Sequence, residues 1–265
     1  MLIFILSHLV SSFLFLPCFP LLFDRLCIVI DGWLKQVDAG AGLVYGVNEN
    51  DNIYRRVDNT WVQVSGSLMH VTVGPAGVWG VNRLQSVYKL VNNSLMPLSG
   101  RLKQIDAGGN IFVAGVNGMD AIYCLNQNSA TSNSPNPNYV SVDGSLKYDA
   151  CGPWGCWGVD AYDDIYYRSN VQPTDCRGTS WQQIGGKMKM VEVGTDGSVY
   201  SVNSQGKVYK REGISAGNPI GTSWTQLNFY DTFQHVSYDQ GNLWLITEKG
   251  VIYKCKVNGA DPSCY

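Results

Sequence analysis

The stretch Leu34-Lys35-Gln36-Val37-Asp38-Ala39-Gly40-Ala41-Gly42-Leu43-Val44-Tyr45-Gly46-Val47-Asn48-Glu49-Asn50-Asp51-Asn52-Ile53-Tyr54 decides the fold, because its pattern returns along the chain. It reads Leu-Lys-x-apolar-x-x-Gly, then apolar-x-Gly-Val-Asn, then Ile/Val-Tyr. Clear copies run from Leu34 to Tyr54, Leu68 to Tyr88, Leu102 to Tyr123, Leu146 to Tyr166 and Met188 to Tyr209, with a divergent sixth from Phe233 to Tyr253. Asn48/Tyr54, Asn82/Tyr88, Asn117/Tyr123, Asp160/Tyr166, Asn203/Tyr209 and Thr247/Tyr253 are all six residues apart. The tyrosines follow one another at intervals of 34, 35, 43, 43 and 44 residues. That period suits one propeller blade per copy, and the extra length falls in loops such as Asn126 to Asn138.

Within a copy the apolar residues alternate as in strands, for example in His70-Val71-Thr72-Val73 and Trp61-Val62-Gln63-Val64. Gly74-Pro75-Ala76-Gly77, Asn48 to Asn52 and Ser65-Gly66-Ser67 supply the turn chemistry between them. Four antiparallel strands per blade, a to d, are therefore predicted: an all-β, six-bladed β-propeller. Strand d carries Trp61, Tyr139, Trp181 or Trp224. The sixth copy has no strand d of its own after Cys255, but Cys27-Ile28-Val29-Ile30-Asp31-Gly32 matches Trp61-Val62-Gln63-Val64-Ser65-Gly66 position for position. The N-terminal strand is expected to close the ring. On that register Cys27 takes the slot of Trp61 and Cys255 that of Arg56, which predicts a Cys27–Cys255 disulfide.

The 265 residues are 45% hydrophobic and 15% charged, with a net charge of −2, so the chain can bury a large core and presents no broad basic field for nucleic acid. Residues 1–24 read as a signal peptide or a mispredicted leader, since Met1 to Phe23 holds no Asp, Glu, Lys or Arg. Residues 25–256 form the propeller and 257–265 a C-terminal tail. No stable membrane insertion is expected once the leader is removed. Eight cysteines favour an oxidising, extracellular setting. With Cys18 lost in the leader, Cys264 is the candidate unpaired thiol. Cys124, Cys151, Cys156 and Cys176 allow three pairings, of which Cys124–Cys151 with Cys156–Cys176 is the expectation.

The repeats resemble those of the tectonin, tachylectin-like family that includes the fish-egg lectins. Leu34 to Gly40, Val73-Gly74-Pro75-Ala76-Gly77, Gly115-Val116-Asn117, Cys156-Trp157-Gly158-Val159 and Gly194-Thr195-Asp196-Gly197-Ser198-Val199 carry the likeness. It implies a secreted six-bladed propeller that binds N-acetylglucosamine-type sugars, glycoproteins and bacterial surface glycans such as lipopolysaccharide, in egg protection or innate immunity. Such relatives typically carry a cysteine pair in the last blade, where this chain has Tyr230 and Thr247.

No metalloprotease helix, nucleophile elbow or phosphate loop is present, so a non-catalytic protein with no cofactor and no resident metal is expected. His70 and His235 share one repeat slot, filled elsewhere by Gln36, Gln104, Tyr148 and Met190, and that repetition points to a structural role. The Asx-rich hairpins lack the spacing of a calcium loop and read as capped turns. The sugar-binding candidates are the lysines opening strand a, Lys35, Lys103, Lys147 and Lys189, and the residues closing strand b, Asn48, Asn82, Asn117, Asp160 and Asn203. Lysines suit anionic groups, and amides both donate to and accept from hydroxyls. The competing reading of both sets is solvated lysine and turn-capping asparagine. Blade 6, with Phe233, Asp239 and Thr247 at the repeat positions, is the least expected to hold a site. The sequon Asn92-Asn93-Ser94 marks a glycosylation candidate at Asn92. A second functional class, a propeller scaffold that binds proteins, shares the same fold.

Overall fold

A computed structural model describes residues 27–257. The leader, the tail, Cys18 and Cys264 lie outside the described residues. Six four-stranded antiparallel sheets follow one another around a ring. Blade 1 comprises strands a to d at Gln36–Gly40, Leu43–Val47, Asn52–Val57 and Thr60–Ser67. Blades 2 to 5 repeat that order, with their a strands at His70–Gly74, Gln104–Asp106, Tyr148–Gly152 and Met190–Val193. Blade 6 takes a, b and c from Phe233–Asp239, Asn242–Thr247 and Val251–Lys256, and d from Cys27–Trp33. The N-terminal strand thus closes the ring, with Cys27 opposite Cys255 in the ladder and bonded to it. Strand a of blade 1 also packs on strand a of blade 6.

The core lies between blades. Tyr45, Val47 and Ile53 of blade 1 pack with Leu68, Val71 and Val73 of blade 2, and Trp244, Ile246 and Ile252 of blade 6 pack with Leu34, Val37 and Ala39. Burying these side chains fully is worth about 1.5–3 kcal/mol each. The glycine of Gly-Val-Asn has a packing cause. A Cβ on Gly46, Gly80, Gly115 or Gly158 would lie 2.5, 2.4, 2.9 or 2.3 Å from a methyl of Leu34, Leu68, Leu102 or Leu146, the residue that opens the motif. Where blade 5 has Ser201 instead, its hydroxyl donates to the Met190 carbonyl across the same pair of strands.

Two of the three disulfides among the described residues differ from the expectation. Cys151 and Cys156 bond to each other, and Cys124 bonds to Cys176. Cys151 and Cys156 face one another across the a/b hairpin of blade 4, their Cα atoms 4.0 Å apart. Cys124, in strand c of blade 3, meets the blade 4 c/d loop that carries Cys176, with a Cα separation of 6.0 Å. The repeat held the cue, because Val73 and Val78 occupy the same two hairpin positions in blade 2 and pair directly. The long loop after Cys124 is also more ordered than a plain insertion. It holds a one-turn helix, Gln127–Thr131, capped by the Asn126 side chain, and the Lys89 ammonium donates to the Ala130 carbonyl to tie it to blade 2.

Candidate functional site: the inter-blade clefts

The b/c turn is the local unit from which the candidate face is built. Asn48 Oδ1 accepts from the amides of Asn50 and Asn52 at 3.0 and 2.9 Å. Asn82, Asn117, Asp160 and Asn203 repeat this two-amide capping in blades 2 to 5. The other side of the same side chain explains the six-residue spacing. Asn48 Nδ2 lies 3.5 Å and Asn82 Nδ2 3.3 Å from the hydroxyls of Tyr54 and Tyr88, and the Tyr166 hydroxyl is 3.5 Å from Asp160.

The fourth turn residue has positive φ, 63° at Asp51, 64° at Asp120 and 67° at Asp163. Each of these carboxylates receives the ammonium of the lysine that opens strand a, in the pairs Lys35–Asp51, Lys103–Asp120 and Lys147–Asp163. Asp51 also takes Arg83 from blade 2 at 2.5 Å, and these two cations hold its carboxyl below the usual range despite burial. In blade 5 Gly206 fills the turn slot, and Lys189 is exposed with no such acid among the described residues. The lysines and Asx residues therefore do converge on one face, but three of the four lysines are neutralised and the Asx oxygens are engaged by backbone.

Free recognition surface on this face lies in clefts between blades. The larger, 610 Å³, separates blades 6 and 1 and is lined by Trp33, Asn48, Tyr54, Trp61, Lys249 and Ile252. A smaller one of 310 Å³ separates blades 3 and 4, lined by Ser145, Leu146, Asp160, Tyr166 and Trp181. Both have one plan: a glycine at or just after strand d of the preceding blade sits against the tryptophan of the next strand d. Gly144 does so at Trp181 and has φ of 103°, and a Cβ there would come within 2.9 Å of the indole Nε1. An arginine of strand c covers one indole face, Arg56 on Trp61 at 5.3 Å and Arg168 on Trp181 at 5.2 Å. The two indoles differ at nitrogen. Trp181 Nε1 donates to the Asp143 carbonyl at 2.6 Å, whereas Trp61 Nε1 is buried without an acceptor among the described residues. Leaving a buried donor unpaired costs about 1–3 kcal/mol.

Sequence reasoning missed two features. On the opposite face a 480 Å³ cleft between blades 4 and 5 is lined by Trp154, Tyr167, Gln172, Gln182 and Asn218. Its parts come from non-repeated loops, which no repeat alignment exposes. The second is the axial channel. Two residues after the strand-a slot of Gln36, His70, Gln104 and His235, Asp38, Thr72, Asp106 and Ser237 accept the amides of Val73, Ala107, Cys151 and Ala39 in the following blade. Glu192 occupies that slot in blade 5. Burial and mutual repulsion push Asp106 and Glu192 well above the carboxylate range, and burial lifts Asp149 to about 7. His70 Nε2 and His235 Nε2 lie 3.4 and 3.2 Å from the Tyr148 hydroxyl, so the three side chains link blades 2, 4 and 6. Burial lowers the two imidazoles to about 4 and about 3. The repeated strand-a slots carried this signal, since the histidines share the slot of Gln36, Gln104 and Tyr148 and the acids lie one or two residues on.

With this geometry in view, the tectonin domain family is matched over residues 33–248. The chain belongs to the tectonin family. It is similar to a fish-egg lectin of Cyprinus carpio, 54% identical over 235 residues that cover 86% of this chain and 98% of the relative. A shorter likeness, 34% identity over 85 residues, links 32% of this tectonin chain to 27% of the perivitellin-2 31 kDa subunit of Pomacea maculata. Among solved structures, the RRP9 WD40 repeats superpose with a TM-score of 0.57 at 6% identity, covering 89% of this chain and 98% of that one. Virginiamycin B lyase from Staphylococcus aureus superposes at 0.55 with 11% identity, covering 84% and 80%. At such identities these two share the fold and nothing more can be carried across.

Proposed function

We propose that this tectonin chain is a secreted, non-catalytic lectin that binds N-acetylglucosamine-type sugars and bacterial surface glycans such as lipopolysaccharide at its inter-blade clefts, in egg protection or innate immunity. The observation that carries the reading is the cleft between blades 6 and 1. There the Tyr54 and Trp61 rings and the Asn48 amide meet beside exposed Trp33 in a volume suited to a monosaccharide or disaccharide. The extended similarity to the carp fish-egg lectin supports it. Lys189, exposed and without a turn acid, is the lysine best placed to meet a phosphate or carboxylate. The Cys27–Cys255, Cys124–Cys176 and Cys151–Cys156 disulfides fit an oxidising compartment. Asn92, exposed in the two-residue turn between Ser86–Val91 and Ser94–Arg101, can carry a glycan without touching either cleft. Several weak clefts on one rigid ring would gain avidity on a repetitive glycan.

Calorimetric titration of the oxidised protein with N-acetylglucosamine and with lipopolysaccharide, with and without chelator, tests the proposal. Saturable binding that Trp61→Ala weakens about tenfold, with folding intact, is the expected result. Absence of binding at millimolar sugar together with no retention on lipopolysaccharide would leave the protein-binding scaffold as the reading.

A further inference from the structure

The b/c turns that cap the face have one position whose side chain the turn does not use. In each turn the first residue caps and the fourth supplies the positive φ, and the third points into solvent. Blades 2, 3 and 4 place Leu84, Met119 and Tyr162 there, exposed to 71, 85 and 79%. Blades 5, 6 and 1 place Gln205, Lys249 and Asn50 at the same position. A lone exposed apolar residue is ordinary. Three in one register on consecutive blades, facing a half-ring of polar equivalents, form an apolar arc on one edge of the face.

The turns are stiff. The amides of Leu84, Met119 and Tyr162 are each held by the capping oxygen of Asn82, Asn117 or Asp160 at 2.8–3.0 Å, which fixes the backbone at each tip. Cations accompany the tips: the Arg101 guanidinium donates to the Leu84 carbonyl at 2.8 Å and the Lys187 ammonium to the Tyr162 carbonyl at 3.0 Å. Lys187 also pairs with Asp164, and Lys103, Lys147 and Arg83 pair with Asp120, Asp163 and Asp51.

We infer that this arc docks the propeller onto the surface of a phospholipid bilayer, with Leu84, Met119 and Tyr162 entering the headgroup–acyl boundary and Arg101 and Lys187 at the level of the phosphates. Polar turn residues separate the tips, so they present no contiguous apolar patch of the kind that packs against a rigid protein partner. A deformable lipid interface accepts separate insertions, and an apolar tip ringed by cations is the pairing that interfacial proteins use. Because carboxylates match most of the cations, burial of the apolar tips supplies most of the affinity. Binding should therefore depend weakly on lipid charge and salt. No helix among the described residues is long and apolar enough to cross a membrane, and the docking needs none. The inference stands apart from the sugar reading.

Co-sedimentation of the intact oxidised protein with sugar-free phosphatidylcholine vesicles, with and without phosphatidylglycerol, tests it. Expected are partition onto both, a change of less than about threefold on adding the anionic lipid or about 0.5 M salt, and at least a tenfold loss, roughly, in the triple variant Leu84→Ser, Met119→Ser, Tyr162→Ser. That variant should keep its melting temperature and its retention on an N-acetylglucosamine matrix. Leucines at Asn50, Gln205 and Lys249 should strengthen partition. Failure of the wild type to partition overturns the inference while leaving sugar retention untouched. A lipid-independent dimer that the triple variant dissolves also overturns it, by making the arc a contact between copies.

Discussion

Each blade lends side chains of strand a to the axis and one turn residue to solvent, and the two sets vary under opposite constraints. At the axis, Asp38, Thr72, Asp106 and Ser237 differ in size and charge, yet each accepts an amide of the next blade, so chemistry there is held to what can reach that N–H. At the third position of the turns the side chain is exposed in every blade, and folding leaves its chemistry free to vary among Leu84, Met119, Tyr162, Gln205, Lys249 and Asn50. Variation inside the ring therefore reports packing, and variation on the rim reports what the rim meets.

Opening the ring would be the harshest test of the inner set. The Cys27–Cys255 bridge spans 228 residues, and in the chain-entropy picture its removal costs about 5 kcal/mol. Cys27→Ser with Cys255→Ser is expected to lower the melting temperature by about 10 °C or more, measured by calorimetry. The Cys151–Cys156 bridge, with a sequence separation of 5, should cost less than half as much. Equal losses would mean that strand pairing, and not closure, is what the long bridge protects.

Asp149 sharpens the comparison from within, because it occupies a slot that holds Val37, Val71, Val191 and Val236 in other blades. Its folded pKa of about 7 lies above the ordinary 3.8, so the folded state keeps a proton that the unfolded chain releases. Stability is thus lost as pH rises from about 4 to about 7 and stays low above that range. Asp149→Val should stabilise the protein by about 2–3 kcal/mol more at pH 8 than at pH 5, read from urea melts. His70 and His235, lowered to about 4 and about 3, act in the opposite sense. They lose stability as pH falls below about 6.5, so the gain from Asp149→Val should be clearest on the alkaline side.

Smaller effects belong to the rim. Asn82→Ala removes a cap that serves two amides and should cost about 1 kcal/mol, whereas Leu84→Ser, two residues on, should leave stability unchanged. A measurable loss for Leu84→Ser would show that the third turn position does pack, and would blur the distinction between axis and rim. Lys103→Ala, which breaks a partly buried pair with Asp120, is expected to cost under about 1 kcal/mol and to lose much of that effect in high salt.

Much of the architecture is legible in the sequence alone. The Asn/Tyr interval, the Leu-to-Gly pairing and the d-like segment at Cys27 are local patterns repeated under one constraint, and repetition makes such constraints readable. The Cys124 and Cys176 pairing was not, because it joins a strand of one blade to an irregular loop of another, and no period relates them. The clefts were half legible: Asn48, Asp160 and the strand-d tryptophans recur, but whether the amides face ligand or backbone depends on turn dihedrals.

The sequence by itself determined the number of blades, the strand order, the closing strand and its disulfide, since each follows from aligning six copies of one unit. Only the tertiary structure decided which lysines are neutralised, which indole N–H is left without an acceptor, and where the acids of separate blades meet around the axis. Those outcomes depend on the spacing between blades, and a one-dimensional repeat encodes each blade without its distance to the next.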